Sequence, residues 1–428
     1  MQGSLGQKYT AGGQAEQTKV GSRPGERRGA PPVGKGRPAR PGKPGGALHG
    51  WHPVDLLAHA FEGVLARVGR TAADLAPNEL DDVLVGCVGQ ASEQAVNVAR
   101  NAALAAGLPE AIPAATIDRQ CGSSQQALQF ASQAIRAGDA DLVLGGGVES
   151  MSRVPMFSAA KGADPYGRRV AARYEGGLVP QGISAELIAA RWGLTRADLD
   201  AFAAESHHRA AAAADAGLLA AELVSTRIDQ GEGPTGETLE RDEGVRPGTT
   251  ADTLAALDPV FRDDAWSARF PEIGWVIHAG NASQLSDGAG AVLVASRERA
   301  EAEGWTPLAR IRASVAVGAD PILNLMGVVP ATQRALGRAG MTLADLDLIE
   351  VNEAFAPVVL AWAAETGADL ARVNVRGGAI ANGHPLGASG TKLTATLLHA
   401  MQERGATTGL QVMCEGGGMA NATVFERG

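Results

Sequence analysis

Cysteine is scarce in this chain: Cys87, Cys121 and Cys414 stand far apart among 428 residues. Three separated thiols exclude a disulfide framework and suit a reducing compartment, read here as the cytoplasm. The chain has no Cys-x-x-Cys pair and no His-Glu-x-x-His, so the motifs of dithiol and zinc chemistry are missing. No uninterrupted apolar run approaches the roughly 18 residues of a membrane helix, and the chain reads as soluble. A net charge of −9 argues against a general nucleic-acid binder. "GHPLGASGTK" has the glycines of a phosphate loop, but Gly390-Thr391-Lys392 lacks the required Gly-Lys-Ser/Thr order.

Residues 1–46 also lack any apolar period. They carry nine basic and two acidic residues among many glycines and prolines. Such a stretch cannot bury enough surface to offset its chain entropy, so a flexible tail is expected. A transit peptide fits poorly, because glycine and proline oppose an amphipathic helix, and no apolar h-region marks a secretory signal. The sequons at Asn281 and Asn421 therefore carry no meaning.

What is present is an internal duplication. "LARVGRTAADL" (Leu65 to Leu75) and "LGRAGMTLADL" (Leu336 to Leu346) share one pattern. Each follows a helical pattern that ends at a glycine suited to a C-cap, Gly69 or Gly340. Each precedes a short apolar strand, "DDVLVGC" or "LDLIEVNE". Further on, a helix, a strand and a triple glycine recur in the same order. In the first copy the helix follows Cys121, with Ala127, Phe130, Ala131, Ala134 and Ile135 on one face, and "DLVLGGG" follows. In the second they are "GASGTKLTATLLHAMQERG", "GLQVMC" and Gly416 to Gly418. Two copies of an alternating α/β unit are predicted.

Between the copies the text changes. "SAAKGADPYGRRVAARYEGG" reads as loop, whereas "ISAELIAARW" and "LDAFAAESHHRAAAAADAG" read as helices. This predicts an inserted loop domain over 153–279, a common cover for active sites. The 47–152 unit is then completed by about 280–302, and the second half runs over 303–428. His207 and His208 sit on an alanine-rich helix that looks exposed, and no metal or catalytic role is assigned to them.

A lone cysteine is more often a small buried hydrophobe than a nucleophile. Cys121, however, lies between the strand "IPAATID" and a helix start. Free N–H groups and the helix dipole there favour a thiolate and can hold an oxyanion. A nucleophilic thiol needs a base, and His384, also just before a helix in the second copy, is the candidate. Cys414 alone reads as a buried strand cysteine, Asn352 as an N-cap, and Cys87 as structural.

Taken together, "DRQCGSSQQA", "VNEAFAPV", "GGAIANGHPLGASG" and "CEGGGMANATVFE" resemble the thiolases, and "HAGNASQLSDGAGAV" resembles their coenzyme A-contacting segment. The resemblance covers about 49–428. It implies an α/β fold of two βαβαβαββ halves in a layered α/β/α/β/α arrangement, with a loop domain inserted in the first. It implies Cys121 as acyl-accepting nucleophile, His384 as its base and Cys414 as second acid/base. Asn352 would hold a water that forms an oxyanion hole with His384, and the backbone N–H groups of Cys121 and Gly416 a second hole. Ser283 would contact the pantetheine.

The implied activity is acyl transfer between a 3-ketoacyl-CoA and coenzyme A by thiolytic C–C cleavage, in fatty-acid or steroid side-chain degradation. No cofactor is expected, with coenzyme A as co-substrate. A homodimer or homotetramer is implied, with neither nucleic acid nor membrane as partner. Biosynthetic acetoacetyl-CoA thiolase and a non-catalytic acyl-CoA-binding relative are the alternatives. A condensing ketoacyl synthase would lack the second cysteine. One departure is expected: relatives open with an apolar strand, whereas "APPVGKG" (Ala30 to Gly36) resembles only the turn that follows it, so the strand is missing or replaced.

Overall fold

The computed structural model describes residues 46–427. The expected tail, save Gly46, and the "APPVGKG" turn lie outside them. The first unit comprises α1 (Pro53–Arg67), β1 (Asp82–Gly86), α2 (Val98–Ala105), β2 (Ala114–Ile117), α3 (Ser123–Ala137) and β3 (Leu142–Ser150). Next come α4 (Gly167–Arg173), α5 (Gln181–Arg191), α6 (Arg196–Asp215) and the hairpin of β4 (Thr226–Asp229) and β5 (Pro234–Leu239). Two short helices, α7 (Ala251–Ala255) and α8 (Asp264–Arg269), lead back to β6 (Asp287–Ala295) and α9 (Arg297–Ala302). The second unit opens with β7 (Arg310–Gly318), α10 (Val328–Ala339), β8 (Leu348–Val351) and α11 (Ala356–Thr366). It closes with α12 (Ala379–Asn382), α13 (Ser389–Arg404), β9 (Thr408–Glu415) and β10 (Met419–Glu426).

The repeated sequence has a physical reason. In both copies a threonine and an aspartate three residues on cap each other: Thr71 N donates to Asp74 at 2.7 Å, and Thr342 N to Asp345 at 2.7 Å. The preceding glycines, Gly69 (φ 71°) and Gly340 (φ 64°), take the left-handed conformation that ends each helix. Each unit builds one sheet, ordered β2-β1-β3-β6 in the first and β7-β10-β9-β8 in the second. β1 and β3 are parallel, as are β8 and β9, while β6 and β10 run antiparallel to their neighbours.

Between the sheets lie α3 and α13, while α1 and α2 cover the first sheet outside and α10 the second. This is the layered α/β/α/β/α arrangement that the resemblance implies. The central helices approach closely: a Cβ on Gly390 would come within 2.1 Å of Gln125 N, so only glycine fits there.

The central layer corrects the expected face of α3. Phe130 is exposed, whereas Gln125, Gln126 and Gln129 are buried. Two of these amides have partners in the second sheet: Gln125 Nε2 donates to Thr423 Oγ1 at 2.8 Å, and Gln129 Nε2 donates to the same oxygen at 3.2 Å. A helix between two sheets has no solvent side along most of its length, so its polar residues are buried, and the Nε2 donors of Gln125 and Gln129 are paired across the layer. Two further readings are corrected. The stretch read as loop contains α4. His207 is buried, with Nδ1 accepting the Arg246 N–H at 3.1 Å, because α6 packs against neighbours on several sides.

Candidate active site

Cys121 sits between β2 and α3, at the tip where the first sheet meets the central layer. Gln120 before it adopts φ 48°, a left-handed conformation costly for a non-glycine residue. Asp118 holds that turn, accepting from Gln120 N at 2.7 Å. The thiol is buried among Met413, Leu393 and Leu386. Gly416, in the β9–β10 turn, lies against the same turn, a Cβ on it falling 3.3 Å from Gln120 Oε1; its N–H and Cys414 both act electrostatically on the Cys121 sulfur. Residues 293 positions apart are thus brought to one point.

A second row runs from Cys414 to the His384 turn. Asn352 follows β8 and is fixed by its own N–H, which donates to Val412 O at 3.0 Å. Its Nδ2 lies 3.6 Å from Cys414 Sγ and 3.4 Å from His384 Nε2. Its Oδ1 has no hydrogen-bond partner among the described residues. His384 is buried; its N–H donates to Ser286 Oγ at 3.0 Å, and its Nδ1 lies 2.6 Å from Ser389 Oγ. Among the described residues no hydrogen bond joins His384 to Cys121; the two rows meet at Cys414. Ser283 is half-buried, and its N–H donates to Ala354 O at 2.9 Å, two residues past Asn352.

Burial dominates the electrostatics. The helix start was expected to lower the Cys121 thiol pKa; instead burial, then Cys414 and Glu415, push it up, outweighing the Gly416 N–H. Burial raises Cys414 to about 11, against the Asn352 hydrogen bond. Burial, then Lys392, lowers His384 to about 3. The resting site therefore holds neutral thiols and a neutral imidazole. It brings two thiols, an imidazole and an amide together out of water, side chains of the kinds that acyl transfer through a thioester requires.

Several residues in this arrangement were not singled out from sequence. Ser389 and Ser286 grip His384. Glu149, at the end of β3, accepts from Val88 N (3.0 Å), Gly89 N (2.9 Å), Gln94 Nε2 (2.8 Å) and Gly387 N (2.9 Å). It ties the His384 turn to the first sheet. Glu415 is wholly buried, with neither carboxyl oxygen bonded among the described residues. Ser389, five residues after His384 in a glycine-rich turn, had a readable signal; Glu149 in "GGGVES" had none.

A duplicated, five-layered α/β fold with a cysteine at one helix start, and a histidine and second cysteine in the other half, defines the thiolase class. The profile described as "Thiolase, N-terminal domain" matches residues 36–298, and "Thiolase, C-terminal domain" matches residues 305–427. The chain belongs to the thiolase family. It is 44% identical over 394 residues to a steroid 3-ketoacyl-CoA thiolase of Mycobacterium tuberculosis, covering 90% of this chain and 91% of that protein. It is also 44% identical to a 3-ketoacyl-CoA thiolase of Aeromonas salmonicida, covering 90% and 95%. The crystal structure of human mitochondrial 3-ketoacyl-CoA thiolase aligns with a TM-score of 0.77 at 36% identity, covering 90% of this chain and 95% of that one.

Proposed function

We infer that the chain cleaves 3-ketoacyl-CoA thiolytically, in the degradative direction, through an acyl-cysteine on Cys121. The observation that carries this reading is the meeting of Cys121, Cys414 and the Gly416 N–H with the Asn352–His384 pair. His384 Nε2 takes the Cys121 proton as the sulfur attacks C3. The C2–C3 bond breaks, and its electron pair passes into the acetyl-CoA enolate. Cys414 protonates that carbon and, as thiolate, deprotonates incoming coenzyme A. The CoA sulfur then takes the acyl group, and the proton on His384 returns to Cys121.

Each step is redox-neutral, and side chains supply every proton, so no cofactor beyond coenzyme A is assigned. The open Oδ1 of Asn352 suits a water facing the thioester oxygen beside His384. The Cys121 and Gly416 N–H groups serve the acyl intermediate, and Ser283, half-buried beside the Asn352 turn, meets the pantetheine. Fatty-acid and steroid side-chain acyl groups are both candidate substrates. Among the described residues no helix is long and apolar enough to cross a membrane, and we place the enzyme in the cytoplasm as a homodimer or homotetramer.

Intact mass after mixing the protein with 3-ketoacyl-CoAs of several lengths, without free CoA, tests this. A gain equal to the shortened acyl group, absent in Cys121→Ala, is expected. No adduct from any substrate on a folded protein would overturn the reading.

A further inference from the structure

Two consecutive residues at the end of β8 turn to different sides. Asn352 reaches Cys414 and His384, whereas Glu353, also buried, reaches α6 of the inserted domain. Its Oε2 accepts from Ser206 Oγ at 2.7 Å and from Ile380 N at 3.2 Å, and its Oε1 accepts from Asn374 Nδ2 at 2.9 Å. Asn374 is pinned in turn to β8, with Oδ1 accepting from Val351 N at 2.8 Å. Ser206 Oγ accepts from Gly378 N at 3.1 Å. The carboxyl and the hydroxyl thus take two N–H groups at the start of α12, where a helix leaves its donors unpaired.

The two glycines before α12 show how close this packing is. A Cβ on Gly378 would fall 2.2 Å from Glu353 Cδ, and one on Gly377 would fall 2.4 Å from Ser206 O. Glu353 and α6 therefore press directly on the main chain that enters α12. From there the path to His384 is short and bonded throughout. Ala381 N and Asn382 N both donate to Gly378 O, at 3.0 and 2.8 Å, and Gly383 N donates to Ala379 O at 3.2 Å. The next residue is His384. A closed circuit results: Glu353 fixes where α12 begins, α12 carries His384, and His384 Nε2 stands 3.4 Å from the amide of Asn352, the neighbour of Glu353.

We propose that Glu353, bridged by Ser206, is a positioning residue that sets the Asn352–His384 spacing and, with it, the hole for the thioester oxygen. The proposal rests on the thiolytic reading above and adds a residue to it. An oxyanion hole works only while its donors hold their places to within about 0.5 Å. Glu353 acts through its neighbour and through the one-turn helix, and Ser206 makes the inserted domain part of the circuit.

Glu353→Gln keeps the shape but turns one acceptor oxygen into a donor facing other donors. Ser206→Ala removes the bridge with a smaller disturbance. The test follows single turnovers by rapid-quench mass measurement, using the 3-ketoacyl-CoA that acylates the wild-type chain fastest, and then adds CoA to the acyl enzyme. Adduct formation at saturating substrate is expected to fall about tenfold to a hundredfold in Glu353→Gln and about threefold to tenfold in Ser206→Ala. The half-saturating concentration should stay within about twofold. Acyl transfer from Cys121 to CoA should slow by less than about threefold, because its oxyanion faces the Cys121 and Gly416 N–H groups instead. A residue that merely held the fold together would lower the urea midpoint and slow both steps alike. Equal slowing of both steps, or unchanged adduct formation in a folded variant, overturns the proposal. If Glu353→Gln does not fold, the ratio of the two steps in Ser206→Ala decides. No adduct on the wild-type chain overturns the thiolytic reading itself and removes the proposal with it, so the wild-type control separates the two failures.

Discussion

The hydroxyl oxygen of Ser389 lies 2.6 Å from Nδ1 of His384 and 2.8 Å from the carbonyl oxygen of Pro385. A carbonyl can only accept, so the Ser389 hydrogen goes to Pro385, and Nδ1 must donate to Ser389. His384 therefore keeps its hydrogen on Nδ1 and presents Nε2 as a bare base. The Asn352 amide, 3.4 Å from Nε2, agrees with that assignment, because an N–H₂ group needs an acceptor there. Backbone geometry and one hydroxyl thus fix Nε2 as the ring nitrogen free to accept a proton.

Ser389→Ala removes this lock while leaving the turn's main chain in place. The imidazole can then carry its hydrogen on Nε2, where it cannot accept a proton. A fall in kcat of roughly tenfold to a hundredfold is expected, with KM little changed. Steady-state kinetics on the folded variant would show it; an unchanged kcat would remove Ser389 from the proton path.

Asn352→Ala takes away the amide between His384 and Cys414 and the open Oδ1 beside them. Losing one donor of an oxyanion hole typically slows turnover about 100- to 1000-fold. The acyl adduct on Cys121 should still form, slowly, in rapid-quench mass measurements. A variant with normal turnover would place the oxyanion elsewhere.

Glu149 accepts four hydrogen bonds, which only a carboxylate can do at once. Glu149→Gln turns part of that acceptor into a donor facing N–H groups. Loss of about 1–3 kcal/mol is expected from the unpaired donors, read as a lower urea midpoint. Activity should fall too, because Gly387 N–H anchors the turn that carries His384. A stable, fully active variant would mean that the turn holds itself.

Much of this was legible in sequence, for stated reasons. The capping aspartates Asp74 and Asp345 and the C-cap glycines act locally, so the duplication could be read from spacing alone. Cys121, His384, Asn352, Cys414 and Gly416 stand in short motifs, and the structure brings them together as two rows that meet at Cys414. What was not legible depends on layers. A central helix buries glutamines as readily as leucines when both sheets offer partners, so α3 defeated the rule of one apolar face. The Cys121 thiol defeated the helix-dipole argument for the same reason: removal from water costs a thiolate more than one helix terminus returns. His207 looked exposed because its alanine neighbours show no period.

His207 gives a test of stability against pH. Burial lowers its pKa to about 4, against an ordinary value of 6.5. Between those values the unfolded chain binds a proton that the folded chain refuses, so its contribution is present above 6.5 and is lost as pH falls towards 4. Each unit in that window removes up to about 1.4 kcal/mol. Buried carboxyls such as Glu222 pull the opposite way, so the comparison with His207→Gln is the readout. The wild-type chain should lose ground against that variant in urea titrations from pH 6.5 to 4.5. A constant difference would show that the imidazole protonates freely in the fold.

Glu415 is the group beside the cysteines that the proposed chemistry does not use. Its carboxyl is held up to about 9, chiefly by burial, with the nearby Arg119 charge opposing and Asp118 reinforcing. Its oxygen sits where a Cβ on residue 122 would be, 1.9 Å from that position, so it leans on the turn that carries Cys121. Neutral at pH 7, it adds no charge beside the Cys121 thiol; ionised above about 9, it puts a negative charge next to a thiolate developing there and opposes it. The same proton sets a stability slope. The folded state keeps it while the unfolded chain releases it above about 4.5, so stability falls as pH rises through 4.5 to 9. Glu415→Gln preserves the shape and removes the charge. Near-normal kcat/KM at pH 7, a smaller loss above pH 9, and a shallower decline of the urea midpoint from pH 6 to 9 are expected together. If the variant loses activity equally at pH 7 and 9.5, the carboxyl's role is to shape the Cys121 turn, and its charge has no part in the alkaline limit.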